Sequence, residues 1–244
     1  MFTFLLKRFY QAVIVMFVIS LVAFSIQDNL GDPLRELVGQ SVSESVRQEL
    51  RDKMGLNDPF LVKYSRFLQN AVQGDLGTSY FFKRPALEVI LDKLVATLEL
   101  VFAAALIIVV VSIPLGVYSA IRPRSFLTKL IMAVSSIGIS IPVFLTAIML
   151  MYLFSIQLGW LPAYGRGETY NLLGWESGFF TWDGIKHLIL PAVSLSSIML
   201  PLFIRLVRSE MLEQLSSEYV KFARAKGLDN NKVYYQHALK NTML

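Results

Sequence analysis

Two histidines, His187 and His237, are the only ones in the 244 residues, and cysteine is absent. Thiol nucleophiles, Cys-ligated zinc, iron–sulfur clusters and disulfide frameworks are therefore excluded together. The sequence has no Gly-x-x-x-x-Gly-Lys-Ser/Thr phosphate loop, no His-Glu-x-x-His and no Gly-x-Ser-x-Gly. An uncharged stretch, Leu188–Ile204, separates the two histidines; if it crosses a membrane they share neither a metal nor a catalytic base. No catalytic residue, metal site or cofactor of the chain's own is expected. One acid stands apart: Glu99, immediately before the charge-free run Leu100–Ile121. A carboxylate at membrane depth is a functional candidate, and at a span edge it also reaches headgroups or caps a neighbouring helix. Gly138, Pro142 and Pro191 are candidate helix breaks along a pathway, because a proline removes a backbone donor and clashes one turn back.

These residues lie in or beside stretches long enough to cross about 30 Å of hydrocarbon at about 1.5 Å per residue. Phe9–Ile26 and Leu100–Ile121 are uncharged, nothing from Leu130 to Tyr164 carries a charge, and Leu188–Ile204 is the fourth such window. Hydrophobic residues make up 55% and charged ones 17%, both displaced from soluble norms toward a membrane protein. The expected fold is an all-α polytopic transmembrane bundle with four visible spans. Lys7 and Arg8 before the first window also suit a signal peptide, but 18 apolar residues and no small-x-small site after them favour a retained span.

The formal charge of +5 reports topology rather than nucleic-acid binding. The Arg122–Lys129 link has three positive and no negative residues, and Arg205–Leu244 has seven against four, whereas 27–96 has nine against ten and Arg166–His187 two against three. The N-terminus, the link and the C-terminal segment are expected in the cytoplasm, and the two near-neutral loops outside. The domains then read as 1–26, N-terminus and first span; 27–98, an outer loop; 99–207, spans two to four; and 208–244, a cytoplasmic segment. In the outer loop, Asp58-Pro59 signals a helix start, Phe60, Leu61, Tyr64, Phe67, Leu68, Ala71 and Val72 form an amphipathic stripe, and Gly74 closes it. Val42, Val46, Leu50 and Met54 mark a second short helix.

In the last segment, Met211, Leu212, Leu215, Tyr219, Phe222 and Ala223 mark an apolar face, Gly227 and Leu228 suit a glycine C-cap, and Asp229-Asn230-Asn231 offers an N-cap for a helix through Lys240. A helix–Gly–helix knob results, attracted to membrane lipid in its plainest reading.

Tyr219-Val220-Lys221-Phe222-Ala223-Arg224-Ala225-Lys226-Gly227-Leu228, followed by His237-Ala238-Leu239-Lys240-Asn241, resembles the EAA coupling loop of bacterial ABC importer permeases of the dipeptide/oligopeptide/nickel group. Gly31-Asp32-Pro33, Met54-Gly55-Leu56 with Asp58-Pro59, Gly74-Asp75-Leu76-Gly77-Thr78-Ser79, Thr97-Leu98-Glu99-Leu100 and His187-Leu188-Ile189-Leu190-Pro191-Ala192 are similar to the same group in the same order. Aligned on Gly227, the Glu-Ala-Ala triplet falls on Lys221-Phe222-Ala223, which resembles the peptide subgroup.

The resemblance implies a permease in the bacterial inner membrane, six spans in a full-length member, and therefore a C-terminally truncated chain. It implies coupling through 211–241, with Glu218, Tyr219, Lys221, Ala223, Arg224, Ala225, Lys226, Gly227, His237 and Asn241 in the loop. The implied partners are cytosolic ATPase subunits that use ATP and Mg2+, a second permease chain, and a periplasmic or extracellular substrate-binding protein; no nucleic acid is implied. Rival readings are a secondary transporter, for which no acid lies beside Gly138 and Pro142, and a membrane-anchored receptor or structural subunit.

Overall fold

The computed structural model describes residues 2–29, 44–53, 55–79, 81–172 and 175–242. Gly31-Asp32-Pro33, Val42, Met54 and Met243-Leu244 lie outside the described residues. The described chain divides into two compact units, 1–93 and 94–244, and the division falls inside a helix.

The first unit holds α1 (Phe2–Asn29), α2 (Glu44–Lys53), α3 (Phe60–Val72) and the start of α4 (Ala86–Ile121). The amphipathic stripe of α3 meets α1 through rings. Phe24 packs within 5.7 Å of Phe60, Tyr64 and Phe67 between centroids, and Phe17 lies edge-on to Tyr64 at 5.8 Å. Tyr64 is buried, and its hydroxyl is 2.7 Å from Ser20 Oγ. The helix start differs from expectation by one residue: Pro59, not Asp58, is the N-cap. Asp58 instead pairs with Arg66 at 2.7 Å, a bond to a charged partner that a free N-cap position does not offer. Gly74 closes α3 at φ +87, with its N–H on Ala71 O and the Asp75 N–H on Asn70 O, the double bond of a glycine-capped helix end.

The second unit contains the rest of α4, α5 (Phe126–Ser140), α6 (Val143–Leu150, continued in wider turns over Met151–Gln157), the strands β1 (Tyr170–Leu172) and β2 (Trp175–Ser177), α7 (Trp182–Ser216), α8 (Glu218–Ala225) and α9 (Lys232–Ala238, continued over Leu239–Thr242). Among the described residues, three helices are long and apolar enough to cross a membrane, or four if the bent α5–α6 pair is one span. The polytopic all-α expectation is met, with one addition: β1 and β2 form an antiparallel hairpin in the loop before α7.

The third expected span is two helices bent by 108°. The break lies at Ile141–Pro142, where Ile141 is extended because the following ring disfavours helix before it. Gly138 and Pro191 break nothing. Gly138 sits inside α5, where a Cβ would lie 3.3 Å from Pro201 Cγ of α7, so it serves close helix approach. Pro191 is carried within α7, as is Pro201. A second close approach joins α4 to α7: a Cβ on Gly116 would come within 2.7 Å of Val207 Cβ and 3.0 Å of Ile204 O. Buried Ser112, Ser119, Ser135, Ser194 and Ser196 complete interfaces made of small residues, which let helix backbones approach where lipid supplies no hydrophobic drive.

Candidate functional site

The segment after α7 is built in steps from its sequence. Ser217 is extended (φ −68, ψ 155) and ends α7, so α8 restarts in its own phase. Tyr219 OH bridges the break to Gln214 Oε1 at 2.7 Å, and Ser217 Oγ donates to Gln214 O. This restart corrects the apolar face read from the sequence. Met211 and Ala223 are buried and Leu215 packs against their cluster as expected, but Val220 takes the inward place, while Phe222 is 61% exposed and Tyr219 and Leu212 are 38% and 39% exposed. A periodicity carried unbroken from Met211 put Phe222 inside in place of Val220. The signal that finds Val220 is its three-residue spacing from Ala223, once Ser217 is recognised as a cap.

Gly227 ends α8 at φ +77, where an added Cβ would meet nothing within 4 Å; its N–H bonds Arg224 O, and that of Leu228 bonds Ala223 O. Asp229 then caps the next helix, its Oδ2 accepting from Asn231 N–H at 2.9 Å. The glycine C-cap and the aspartate N-cap both follow the sequence expectation. Inward from this turn, Val220, Ala223, Val233 and Ala238 form one apolar cluster with Met211 and Val207 of α7 and Val117 and Ala120 of α4. Outward lie Lys221, Arg224, Ala225, Lys226 and Gly227, together with Glu218 and Asn241. Lys226 Nζ stands 4.5 Å over the Phe222 ring, and Lys221 pairs with Glu218 at 2.8 Å. His237 is half-buried beside Ala238. The expected coupling residues therefore share one knob whose floor is the ends of α4 and α7.

Glu99 belongs to a separate cluster part-way along α4, thirteen residues past its start. Its side chain is 9% exposed, and it pairs with Arg166 Nη2 at 3.2 Å and accepts from Gly178 N–H at 2.9 Å. Arg166 also donates to Glu176 O, Asp183 Oδ2 accepts from Glu168 N–H at 2.9 Å, and Thr181 Oγ1 caps α7 through Gly184 N–H at 3.0 Å. His187 Nδ1 lies 2.8 Å from Asp183 O. Gly167, at φ +74, passes where a Cβ would come within 2.6 Å of His187 Nδ1. Glu99 thus pins the hairpin loop to α4, and this contact corrects the alternatives of headgroup contact and simple helix capping. Sequence reasoning missed Arg166. The available signal was a lone cation in the loop before α7, opposite a lone acid at the mouth of a span. Gly138, Pro142 and Pro191 do not join either cluster. Among the described residues no group of His, Asp or Glu is placed to hold a metal ion.

Comparison with known proteins accounts for the whole chain. The profile of the family described as binding-protein-dependent transport system inner membrane component matches residues 112–244, and that of its N-terminal part matches residues 1–101. The dipeptide transport system permease protein DppB of Alkalihalophilus pseudofirmus is 33% identical over 257 residues, covering 100% of this chain and 77% of its own length. The oligopeptide transport system permease protein AppB of Bacillus subtilis is 37% identical, with coverages of 100% and 76%. The probable D,D-dipeptide transport system permease protein DdpB of Escherichia coli is 33% identical, covering 98% and 74%. A multi-pass helical bundle with a knob packed on two of its spanning helices, and relatives matched along the length of this chain, lead to one conclusion: the chain belongs to the family of binding-protein-dependent transport system inner membrane components.

Proposed function

We propose that this chain forms part of the translocation pathway of an ATP-driven importer for peptides or closely related solutes, and that α8, Gly227 and α9 are its contact with a separate ATPase subunit. The observation that carries the reading is the knob's two-sidedness: Val220, Ala223, Val233 and Ala238 lock onto α4 and α7, while Lys221, Arg224, Lys226 and Gly227 remain outward. ATPase subunits closing around ATP and Mg2+ would push the outward face, and the apolar floor would pass that motion to the spans as a rigid-body shift of the alternating-access kind. This chain contributes the lever and the pathway and binds no nucleotide itself. A second permease chain completes the pathway, and a substrate-binding protein delivers solute to the opposite face. The peptide class is supported by the printed names of the relatives. The knob and the N-terminus then lie in the cytoplasm, supported by the excess of Lys and Arg at Lys7, Arg8, 122–129 and 205–244.

Two experiments test this. In the assembled importer, Gly227→Asp should retain membrane insertion yet lose co-purifying ATPase and ATP-driven peptide uptake, whereas Lys232→Ala should keep both. Retained ATPase binding and uptake in Gly227→Asp rule out the coupling role. Single cysteines at Gln69 and Asn230 in this cysteine-free chain should be modified by a membrane-impermeant maleimide from opposite sides, and same-side modification rules out the orientation.

A further inference from the structure

Arg205 and Arg208 lie one turn apart on one face of α7, and neither makes an ion pair among the described residues. Arg205 Nη2 donates to Ser136 Oγ of α5 at 2.7 Å. Arg208 lies along α5 beside Met132, and its Nε is buried without a partner. Ser136 itself donates to Met132 O at 2.9 Å, so its oxygen is left to accept from Arg205; Ser140, one turn further, donates to Ser136 O. Arg205, Ser136 and Ser140 are exposed. A polar track therefore runs from Arg208 through Arg205 and Ser136 to Ser140 and ends at the Ile141–Pro142 break. Ser136 is ten residues beyond Phe126, about 15 Å along the α5 axis. No Asp or Glu occurs in α5, in α6, or between Asp183 and Glu210 in α7 to balance the two charges. An exposed guanidinium with no carboxylate partner among the described residues can take an anion, and two guanidinium forks suit a carboxylate.

Resting on the importer reading above, we propose that this track is an anion-binding segment of the pathway, and that Arg205 and Arg208 receive the terminal carboxylate of the peptide in transit.

The absence of cysteine allows a direct test. Ser136→Cys is placed in the importer assembled with its partner subunits in phosphatidylcholine vesicles, and modification of the single thiol is read as a mass shift of this chain. An anionic methanethiosulfonate should react about tenfold faster than a cationic one, as expected where positive potential concentrates anions. Adding Arg205→Gln and Arg208→Gln should bring the ratio close to one. A mixture of short alanine peptides should slow modification, and the same peptides amidated at the C-terminus should not. Equal rates, or protection by the amides as strong as by the free acids, overturn the proposal. So does failure of both charged reagents to reach the introduced thiol, which marks the face as covered by lipid or another chain. If neutral vesicles give no anion preference and phosphatidylglycerol is required for one, the ligand is a lipid headgroup and the proposal falls. Uptake of the peptides by the unmodified assembly is measured in parallel. Its absence overturns the peptide-import reading, whereas uptake of peptides that leave the thiol unprotected overturns this proposal alone.

Discussion

α4 is secured in opposite ways at two places, part-way along it at Glu99 and at its C-terminal end. At Glu99 one buried carboxylate gathers Arg166 and the Gly178 N–H, so the hairpin loop depends on directional bonds at a single point. At Val117 and Ala120 the knob is held by eight small or medium apolar side chains that share the contact. A single polar pin gives exact placement and fails when one partner is lost, because the other is left buried and uncompensated. A distributed apolar floor gives cohesion without directional bonds and degrades in proportion to what is removed. For a permease this division is useful. The Glu99 pin holds the hairpin loop at one point, and under the coupling proposed above the apolar end would let the knob be pushed as a body without breaking specific bonds.

Removing the pin should have the largest effect. Glu99→Ala leaves the Gly178 N–H without its acceptor and Arg166 with Glu176 O but no carboxylate partner, and should destabilise the hairpin loop by about 3 kcal/mol, the upper end for an unsatisfied buried donor. Limited proteolysis reads this as new cleavage within 158–181 while the spans stay inserted. The double variant Glu99→Ala with Arg166→Ala should recover part of the loss. If the double variant is as susceptible as the sum of the two singles, the pair is not a pin and the contrast with the knob is lost.

At the apolar end, Met211→Ala should cost about 2–3 kcal/mol, because a fully buried side chain is replaced by a cavity. Val220→Ala, also fully buried but smaller, should cost roughly 1–2 kcal/mol. Phe222→Ala, at the position the unbroken periodicity placed inside, should cost well under either, since its ring is exposed. Thermal unfolding of the detergent-solubilised protein ranks the three. The order Met211, Val220, Phe222 is required by the observed packing, and a larger loss for Phe222 than for Val220 would restore the face expected from sequence.

That reversal shows where the sequence was legible. Long uncharged windows, the Asp58–Gly74 helix, the Gly227 C-cap and the Asp229 N-cap are local signals, and each appears within a residue or two of its expected place. The misses are non-local. Whether Pro142 kinks a span or bends it by 108° depends on how α5 and α6 pack, which no window of sequence contains. Gly138 read as a break because glycine is a poor helix former, yet its use is contact with Pro201, more than sixty residues away. Arg166 and Glu99 are separated by 67 residues, and neither alone signals the other.

The smallest expected effect separates conformational strain from coupling, and it compares the same device in the two units. Gly74 and Gly227 both end helices in the left-handed region, at φ +87 and +77, and a Cβ at either meets nothing within 4 Å. With no steric neighbour, Gly→Ala at each site carries only the backbone strain of about 1 kcal/mol. Stability measured by thermal unfolding should therefore fall by the same small amount in Gly74→Ala and Gly227→Ala. Transport should not: the Gly227 turn faces outward where the ATPase is proposed to dock, so even a methyl group there should lower ATP-driven uptake more than the equally strained Gly74→Ala. Equal losses of uptake in the two variants would mean that the knob's turn acts only through stability. It would then be, like the turn after α3, a helix end and nothing more.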